Sequence, residues 1–545
     1  MQRVGIPISS NIGGDVFESF TKLNDVIKKN DGIRSFSVKT NSCYDSDAPV
    51  YEGTQTHIRI TNNFHDINQL GESYLRMKWN ATVKFHDQIV SANNEPITYF
   101  IGWKNANEAI RQLEVENNNV DCEYLQTESM KEGCAYSAYM PQEEKVSRRF
   151  AHSTWEGVSH YEDGQAGTYI TFVNTDTVGE HEKKDVKFET IIPITDLLAF
   201  QAFEEFPASL GDIVLKFYFS KQSMVYACVE QTSARDHLDN WLGNKGDGKD
   251  TVIQLTGTKA GTEIPFKAPY TRGFVQCGQE SRQFRTMEDN IDNCASGFQT
   301  VSITELKLEN CYCDVYGYNV TQECKRNIAS LFTPEHPMII PAQHLDVKQM
   351  PKLNNDDQYD ADFTYALHNV TDFIVVWPCN NSDQTCFYNP NLELLQLRVD
   401  GKLFPTNKLE NTWDYRFYQM MMNASDLDNY YAADKSYSDS LLAQMPKPTA
   451  QAWYINCCTP HDISTFLCTF QVERNTAGYC FDGIETGNQT VNIALTYKSA
   501  NSWYKVVKIA PQIWFTRDTY WTCDNVNGLK YHKTGTPPIY ASSED

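Results

Sequence analysis

From about residue 50 the chain alternates apolar and polar positions in short runs, the period of β-strands rather than helices. In "AIRQLEVENNNV" (109–120), Leu113 and Val115 point one way while Gln112, Glu114 and Glu116 point the other. Asparagine tolerates positive backbone angles, so the Asn run predicts a hairpin turn there. Similar runs recur in "THIRIT", "SYLRMKWNATVKF", "DIVLKFYF", "DFIVVWP", "LELLQLRVDGKLFP", "STFLCTFQV" and "TVNIALTYKS". They are rich in Val, Ile, Thr and aromatics and separated by polar stretches, which predicts an all-β chain, sandwich or barrel. Long loops are expected over 125–185 and 230–270. Helical spacing is clear only near the start, where Val16, Phe20, Leu23 and Ile27 form one stripe after Gly13-Gly14. That predicts a helix packed beneath its own domain, with an arm docking on a neighbouring subunit as the second reading.

Two of the strand units occur twice. "LLQLRVDGKLFP" repeats the first hairpin, with Leu395, Leu397 and Val399 on one face and a turn at Asp400-Gly401. "DIVLKFYF" places Ile213, Leu215, Phe217 and Phe219 inward, and "TVNIALTY" does so with Val491, Ile493, Leu495 and Tyr497. Matching Val115 to Val399 and Phe219 to Tyr497 gives spacings of 284 and 278 residues, close enough to indicate a duplicated β domain.

The order of these landmarks resembles the double jelly-roll major capsid proteins of Polinton-like elements, adintoviruses and virophages. The resemblance lies in "NEAIRQLEVENNNV" followed by "CAYSAYMPQEEKVS" (134–147), then "IIPITDLLAFQAFEEFPASLGDIVLKFYFSKQSMVYA" (191–227). It continues in "NPNLELLQLRVDGKLFPTNKLENTWDYRFYQMM" (389–421) and "GIETGNQTVNIALTY" near the end. It implies an all-β fold of two tandem eight-stranded jelly rolls with long loops, to which the stripe of Val16, Phe20, Leu23 and Ile27 adds a short N-terminal helical arm. The expected division is an arm over 1–45, jelly roll 1 over 46–235, a linker over 236–270, jelly roll 2 over 271–515 and a tail over 516–545. The implied function is a major capsid protein that trimerises into pseudo-hexameric capsomers tiling an icosahedral virion. Its implied partners are itself, neighbouring capsomers, and penton and minor or cement proteins. The arm, the acidic stretch around 154–186 and the tail after Trp521 match nothing in the family pattern.

Composition narrows the field. With 545 residues the chain exceeds one ordinary core, and 41% hydrophobic with 12% aromatic residues leaves ample material to bury. A formal charge of −23 without a basic run argues against a phosphate-binding face, so no direct nucleic-acid binding is expected. No run approaches the length of a membrane span. The start, "MQRVGIPISSNIGGDVF", lacks the apolar core of a signal peptide, so the sixteen cysteines are expected to be mostly free, buried thiols. Sequons at Asn80, Asn319, Asn369, Asn380, Asn423 and Asn488 are no more than an Asn-rich chain produces by chance.

Candidate chemistry is thin. Residues 243–250, "GNKGDGKD", imitate a phosphate loop but end in Asp250 where Ser or Thr would hold magnesium. No G-x-S-x-G elbow occurs. Cys311 and Cys313 share a strand face, and Cys457-Cys458 are adjacent; neither has zinc-site spacing. His336 and His344 flank "PMIIPAQ", and "NNDDQYDAD" (354–362) is acidic but lacks the glycine and terminal glutamate of a calcium loop. No catalytic residue, cofactor or metal is expected. Two other classes stand beside the capsid reading: a two-domain β-sandwich carbohydrate-binding or adhesive surface protein, which needs disulfides, and a β-sandwich glycoside hydrolase, which has only abundant acids behind it.

Overall fold

The structure, a computed structural model, describes residues 36–38, 55–60, 65–85, 97–103, 106–132, 166–172, 183–219, 224–230, 270–274, 282–283, 301–351, 358–378, 392–409, 467–472, 481, 483–499, 510–535 and 537. The expected N-terminal helix lies outside them. In chain order the strands begin with β1 (Phe36–Val38), β2 (Gln55–Ile60), β3 (Ile67–Phe85), β4 (Ile97–Trp103), β5 (Ile110–Asn117) and β6 (Val120–Gln126). Next come β7 (Ala166–Phe172), β8 (Lys183–Pro193), β9 (Phe206–Pro207), β10 (Ile213–Phe219) and β11 (Met224–Glu230). They are followed by β12 (Tyr270–Phe274), β13 (Arg282–Gln283) and β14 (Val301–Tyr318), then helix α1 (Gln322–Leu331). After the helix run β15 (Met338–Gln349), β16 (Gln358–Ala366), β17 (Val370–Val376), β18 (Leu392–Val399) and β19 (Lys402–Leu409). The last are β20 (Leu467–Gln471), β21 (Thr490–Ser499), β22 (Gln512–Asp524) and β23 (Gly528–His532).

Their pairing is antiparallel and makes the same figure twice. One sheet of the first unit has the order β1-β14-β3-β8, and its companion has β2-β10-β5-β6. Beyond α1, one sheet runs β15-β22-β17-β20 and the other β16-β21-β18-β19. If the eight strands of each unit are lettered B to I in chain order, both units read B-I-D-G in one sheet and C-H-E-F in the other. That order is the jelly roll, in which the last strand returns to lie between the first and third. The chain is a double jelly roll by its own hydrogen bonds.

The strand order corrects the expected boundaries. β14 falls inside the range assigned to the second roll, yet pairs with β3 and with β1 in the first. β22 crosses from the expected second roll into the expected tail and is the second roll's closing strand. The reason is topological. A closing strand pairs with strands far back in the sequence, and no local pattern reveals that partner. One expected long loop, 125–185, contains a strand, β7. β4, β7 and β11 to β13 arise from the D–E, F–G and H–I connections of the first roll, and they join in one sheet of order β13-β12-β11-β4-β7.

Each inward face of the alternating pattern is buried. Ile213, Leu215, Phe217 and Phe219 meet Leu113 and Val115 in the first core. Ile493, Leu495 and Tyr497 meet Leu395, Leu397 and Val399 in the second. Both hairpin turns have positive φ at their two central residues: Asn118 and Asn119 (52° and 63°), then Asp400 and Gly401 (47° and 76°). This is the turn whose twist suits adjacent strands. Aligning the turns pairs Asn118 with Asp400, and therefore Val115 with Leu397 rather than Val399. Leu215 pairs with Val115, and Leu495 with Leu397, so the H strands are 280 residues apart (215 and 495). The sequence alignment was thus two residues out of step, a slip that keeps every side chain on its own face.

Strands β17 and β22 are buried on both faces. Phe373 and Val375 face the second core, whereas Ile374, Val376 and Trp514 pack with Leu198 of the first roll. This sheet is the buried middle layer of the molecule. Pro341 is accommodated because β15 is an edge strand, where a missing N–H is tolerated. Helix α1 joins the rolls. Thr321 caps it, accepting from the Cys324 N–H at 3.4 Å, and Cys324 and Ile328 are its buried positions.

Candidate functional site

The two rolls meet along a contact built from aromatic rings and buried polar groups. The first half of β22 lies between β15 and β17, and its second half between β15 and β23. The three-stranded ribbon of β15, β22 and β23 is laid on the first roll. Met338, Ile340, Trp521, Cys523, Leu529 and Tyr531 belong to the same apolar cluster as the first roll's core. Trp521 is its centre. Its ring lies 5.4 Å from Tyr124, 4.9 Å from Tyr531 and 5.9 Å from both Phe200 and Phe203. Its indole N–H donates to the carbonyl of Ala199 at 2.8 Å. A short 3-10 turn, Leu198–Phe200, presents that carbonyl.

Polar groups fix the register of the contact. Asn117, at the end of β5, accepts the Leu529 N–H at 3.1 Å and donates to the Asp212 carbonyl at 3.1 Å. The Gln126 amide donates to Glu132 at 2.6 Å and to the Leu345 carbonyl at 3.0 Å. Residues 129–132 form one helical turn whose four residues are all buried, Lys131 and Glu132 included. Lys131 pairs with Glu128 at 2.8 Å. Burial pushes the Glu132 carboxyl up to about 8, against the opposing hydrogen bonds from Gln126 and the Leu198 backbone. Lys530 reaches Glu123 at 3.3 Å, and Asn525 donates to the Ala329 carbonyl of α1 at 3.0 Å.

A second cluster surrounds Asp346, which pairs with Arg517 and with Lys533 at 3.3 Å. Burial pushes its carboxyl up, but His344, Arg517 and Lys533 outweigh this and hold it well below the usual carboxylate range. His344 is itself buried, 3.6 Å from Asp346, and desolvation brings it down to about 4, so the imidazole is neutral. These ion pairs brace the second roll's own ribbon, whereas Asn117, Gln126 and Lys530 make the polar contacts between the sandwiches; none of these groups is arranged as a nucleophile and base.

The residues singled out from the sequence are dispersed. Cys311 and Cys313 are free, fully buried on one face of β14, with thiols pushed up by desolvation. Cys122, Cys324 and Cys523 are also free and buried. His336 is exposed in the turn after α1, whereas His344 lies in the Asp346 cluster. Asp360 and Asp362 stand on the outer face of β16 and accept hydrogen bonds from Thr496 and Asn492 at 3.0 and 3.1 Å. Residues 243–250 and Cys457-Cys458 lie outside the described residues. Among the described residues, no group of three or more His, Cys, Asp or Glu is placed to hold a metal, and no helix is long and apolar enough to cross a membrane.

The sequence reading missed the contact region altogether. Asn117 and Gln126 end strands, Glu132 sits in a helical turn and Trp521 lies within β22, positions where polar or aromatic residues look ordinary until a partner is known. Helix α1 did carry a signal: Thr321 before Cys324, Ile328 and Leu331, a cap and a stripe at i, i+4 and i+7.

No known family's sequence pattern matches the chain, and no curated protein matches it in sequence. Solved structures do. The mavirus major capsid protein aligns over 94% of this chain and 92% of its own, at 10% identity and a TM-score of 0.46. A chain of the Sputnik virophage aligns over 92% and 90%, at 8% identity and a TM-score of 0.47. The VP54 protein of PBCV-1 aligns over 92% and 97%, at 10% identity and a TM-score of 0.44.

Proposed function

We propose that the chain is the major capsid protein of a eukaryotic DNA virus or virus-like element. It acts as a structural subunit, without catalysis, that trimerises into pseudo-hexameric capsomers of an icosahedral virion. The observation that carries this reading is the B-I-D-G and C-H-E-F strand order occurring twice in one chain. Two like sandwiches fused side by side let three copies approximate sixfold packing, and jelly rolls leave few free strand edges to polymerise wrongly. The landmarks in the sequence support the same reading. Neighbouring capsomers, penton proteins and minor or cement proteins are its proposed partners, and the net charge of −23 suits particles that must stay mutually repulsive. The adhesive alternative requires paired cysteines, and Cys311, Cys313 and Cys324 are free and buried.

The test is size-exclusion chromatography with negative-stain microscopy of the purified chain. Trimers of pseudo-hexagonal outline, or closed shells, are expected. A monomer that stays monomeric across assembly conditions refutes the proposal.

A further inference from the structure

Two buried thiols lie on the two sides of the contact between the rolls, Cys122 in the first and Cys523 in the second. Cys122 sits at the bulge of β6, where the register with β5 shifts after Val115, and Cys523 lies in the second half of β22. Both are free, at 1% and 0% exposure. Contacts on either side bracket them. Two residues along from Cys122, Tyr124 packs on Trp521, which is two residues back from Cys523. On the other side, Asn117 accepts the N–H of Leu529, the direct strand partner of Cys523. The proximity also registers electrostatically: the Cys523 thiol is pushed up by desolvation first, and further by Asp524 and Cys122.

We propose that Cys122 and Cys523 form a disulfide that staples the first roll to the second. The oxidant is a small-molecule disulfide such as oxidised glutathione. The Cys122 thiolate attacks it, forming a mixed disulfide and releasing one glutathione thiolate; the Cys523 thiolate then attacks the Cys122 sulfur and expels the second. The two protons lost by the protein thiols are taken up by the two glutathione thiolates, so one disulfide is reduced as one is formed. Burial pushes the Cys122 thiol up to about 12, which leaves little thiolate while the rolls are closed on each other. The bond therefore forms while the contact is open, during folding or transient separation, and is shielded from reductants once closed. It constrains a loop running from residue 122 to residue 523, and so restricts the unfolded chain strongly.

The full chain is incubated with oxidised glutathione in buffer and in sub-denaturing urea, alkylated, digested without reduction and mapped by mass spectrometry, with melting followed in parallel. The expected result is a Cys122–Cys523 peptide pair lighter by two hydrogens than its separate thiols, with a rise in Tm of about 5 °C. Both should vanish in C122A and in C523A. Absence of the pair from the folded, oxidised chain, a link from Cys122 to another cysteine, or the pair without a rise in Tm overturns the proposal. If either substitution prevents folding, the peptide map of the unsubstituted chain, and its Tm before and after reduction, still decide.

Discussion

The indole nitrogen of Trp521 lies 2.8 Å from the carbonyl oxygen of Ala199, so one hydrogen bond joins positions 322 residues apart and ties the second roll's closing strand to the first roll. Four aromatic rings surround the same side chain. Trp521→Phe should leave the buried Ala199 carbonyl unsatisfied and cost about 1–2 kcal/mol. Trp521→Ala adds a cavity and should cost about 3–5 kcal/mol. Urea melts give both figures, and hydrogen exchange at residues 198–203 should quicken in step. Unchanged exchange there would show that the tryptophan is not what closes the contact.

Asn117 acts in both rolls at once, through Leu529 and Asp212. Replacing it with Ala strands the Leu529 N–H in a buried site and should cost about 2 kcal/mol. Asn117→Asp keeps the acceptor but loses the donor to Asp212, and should fall between the two. Thermal melts of the three chains rank them.

The buried carboxyl of Glu132 makes stability depend on pH in a definite direction. Folded, it holds its proton up to about 8; unfolded, it releases it above its ordinary 4.5. Stability therefore falls as pH rises through that window, at a slope approaching about 1.4 kcal/mol per pH unit. His344 works oppositely. It stays neutral in the fold down to about 4 but protonates below 6.5 when unfolded, so its contribution is lost as pH falls from 6.5 to 4. Between 4.5 and 6.5 the two slopes oppose each other; between 6.5 and 8 only Glu132 remains of the pair. Tm should drop across that upper interval, and Glu132→Gln should flatten it. An equal drop in the variant would assign the effect to another group.

Two glycines at equivalent ends of the rolls should respond differently to the same change. Gly211 has φ of 114°, and an added Cβ would lie 2.2 Å from the Asn118 side chain, which itself accepts the Asp212 N–H at 3.0 Å. Gly401 has φ of 76° with nothing within 4 Å. Gly401→Ala should cost about 1 kcal/mol for the backbone alone. Gly211→Ala should cost about 3 kcal/mol, since it also displaces the hairpin turn. Denaturant midpoints of the two variants test the difference.

Period-two alternation was enough to locate β5, β10, β18 and β21 and to orient their inner faces, because each has one side in a core and one in water. Asn118-Asn119 and Asp400-Gly401 announced the turns for the same local reason. β17 and β22 are buried on both sides, so no alternation of apolar with exposed positions marks them, and "DFIVVWP" gave a strand without a face. The closing strand β14 was assigned to the wrong roll because its partner, β3, lies more than 200 residues earlier. The contact between the rolls was invisible for a related reason: Trp521, Asn117 and Glu132 are defined by what they touch, and those partners are distant in sequence.

The position of β14 sets a schedule for biosynthesis. Its slot beside β3 stays vacant until translation has passed residue 318, after the whole stretch from Phe85 to Val301 has emerged. At roughly 10 residues per second that wait is on the order of 20 s. Throughout it, the 19-residue β3 offers unsatisfied amides along one side, and nascent chains crowded on a polysome carry the same bare edge. Slower elongation or denser ribosome loading should therefore raise the share of newly made chains lost to aggregation before the fold is complete.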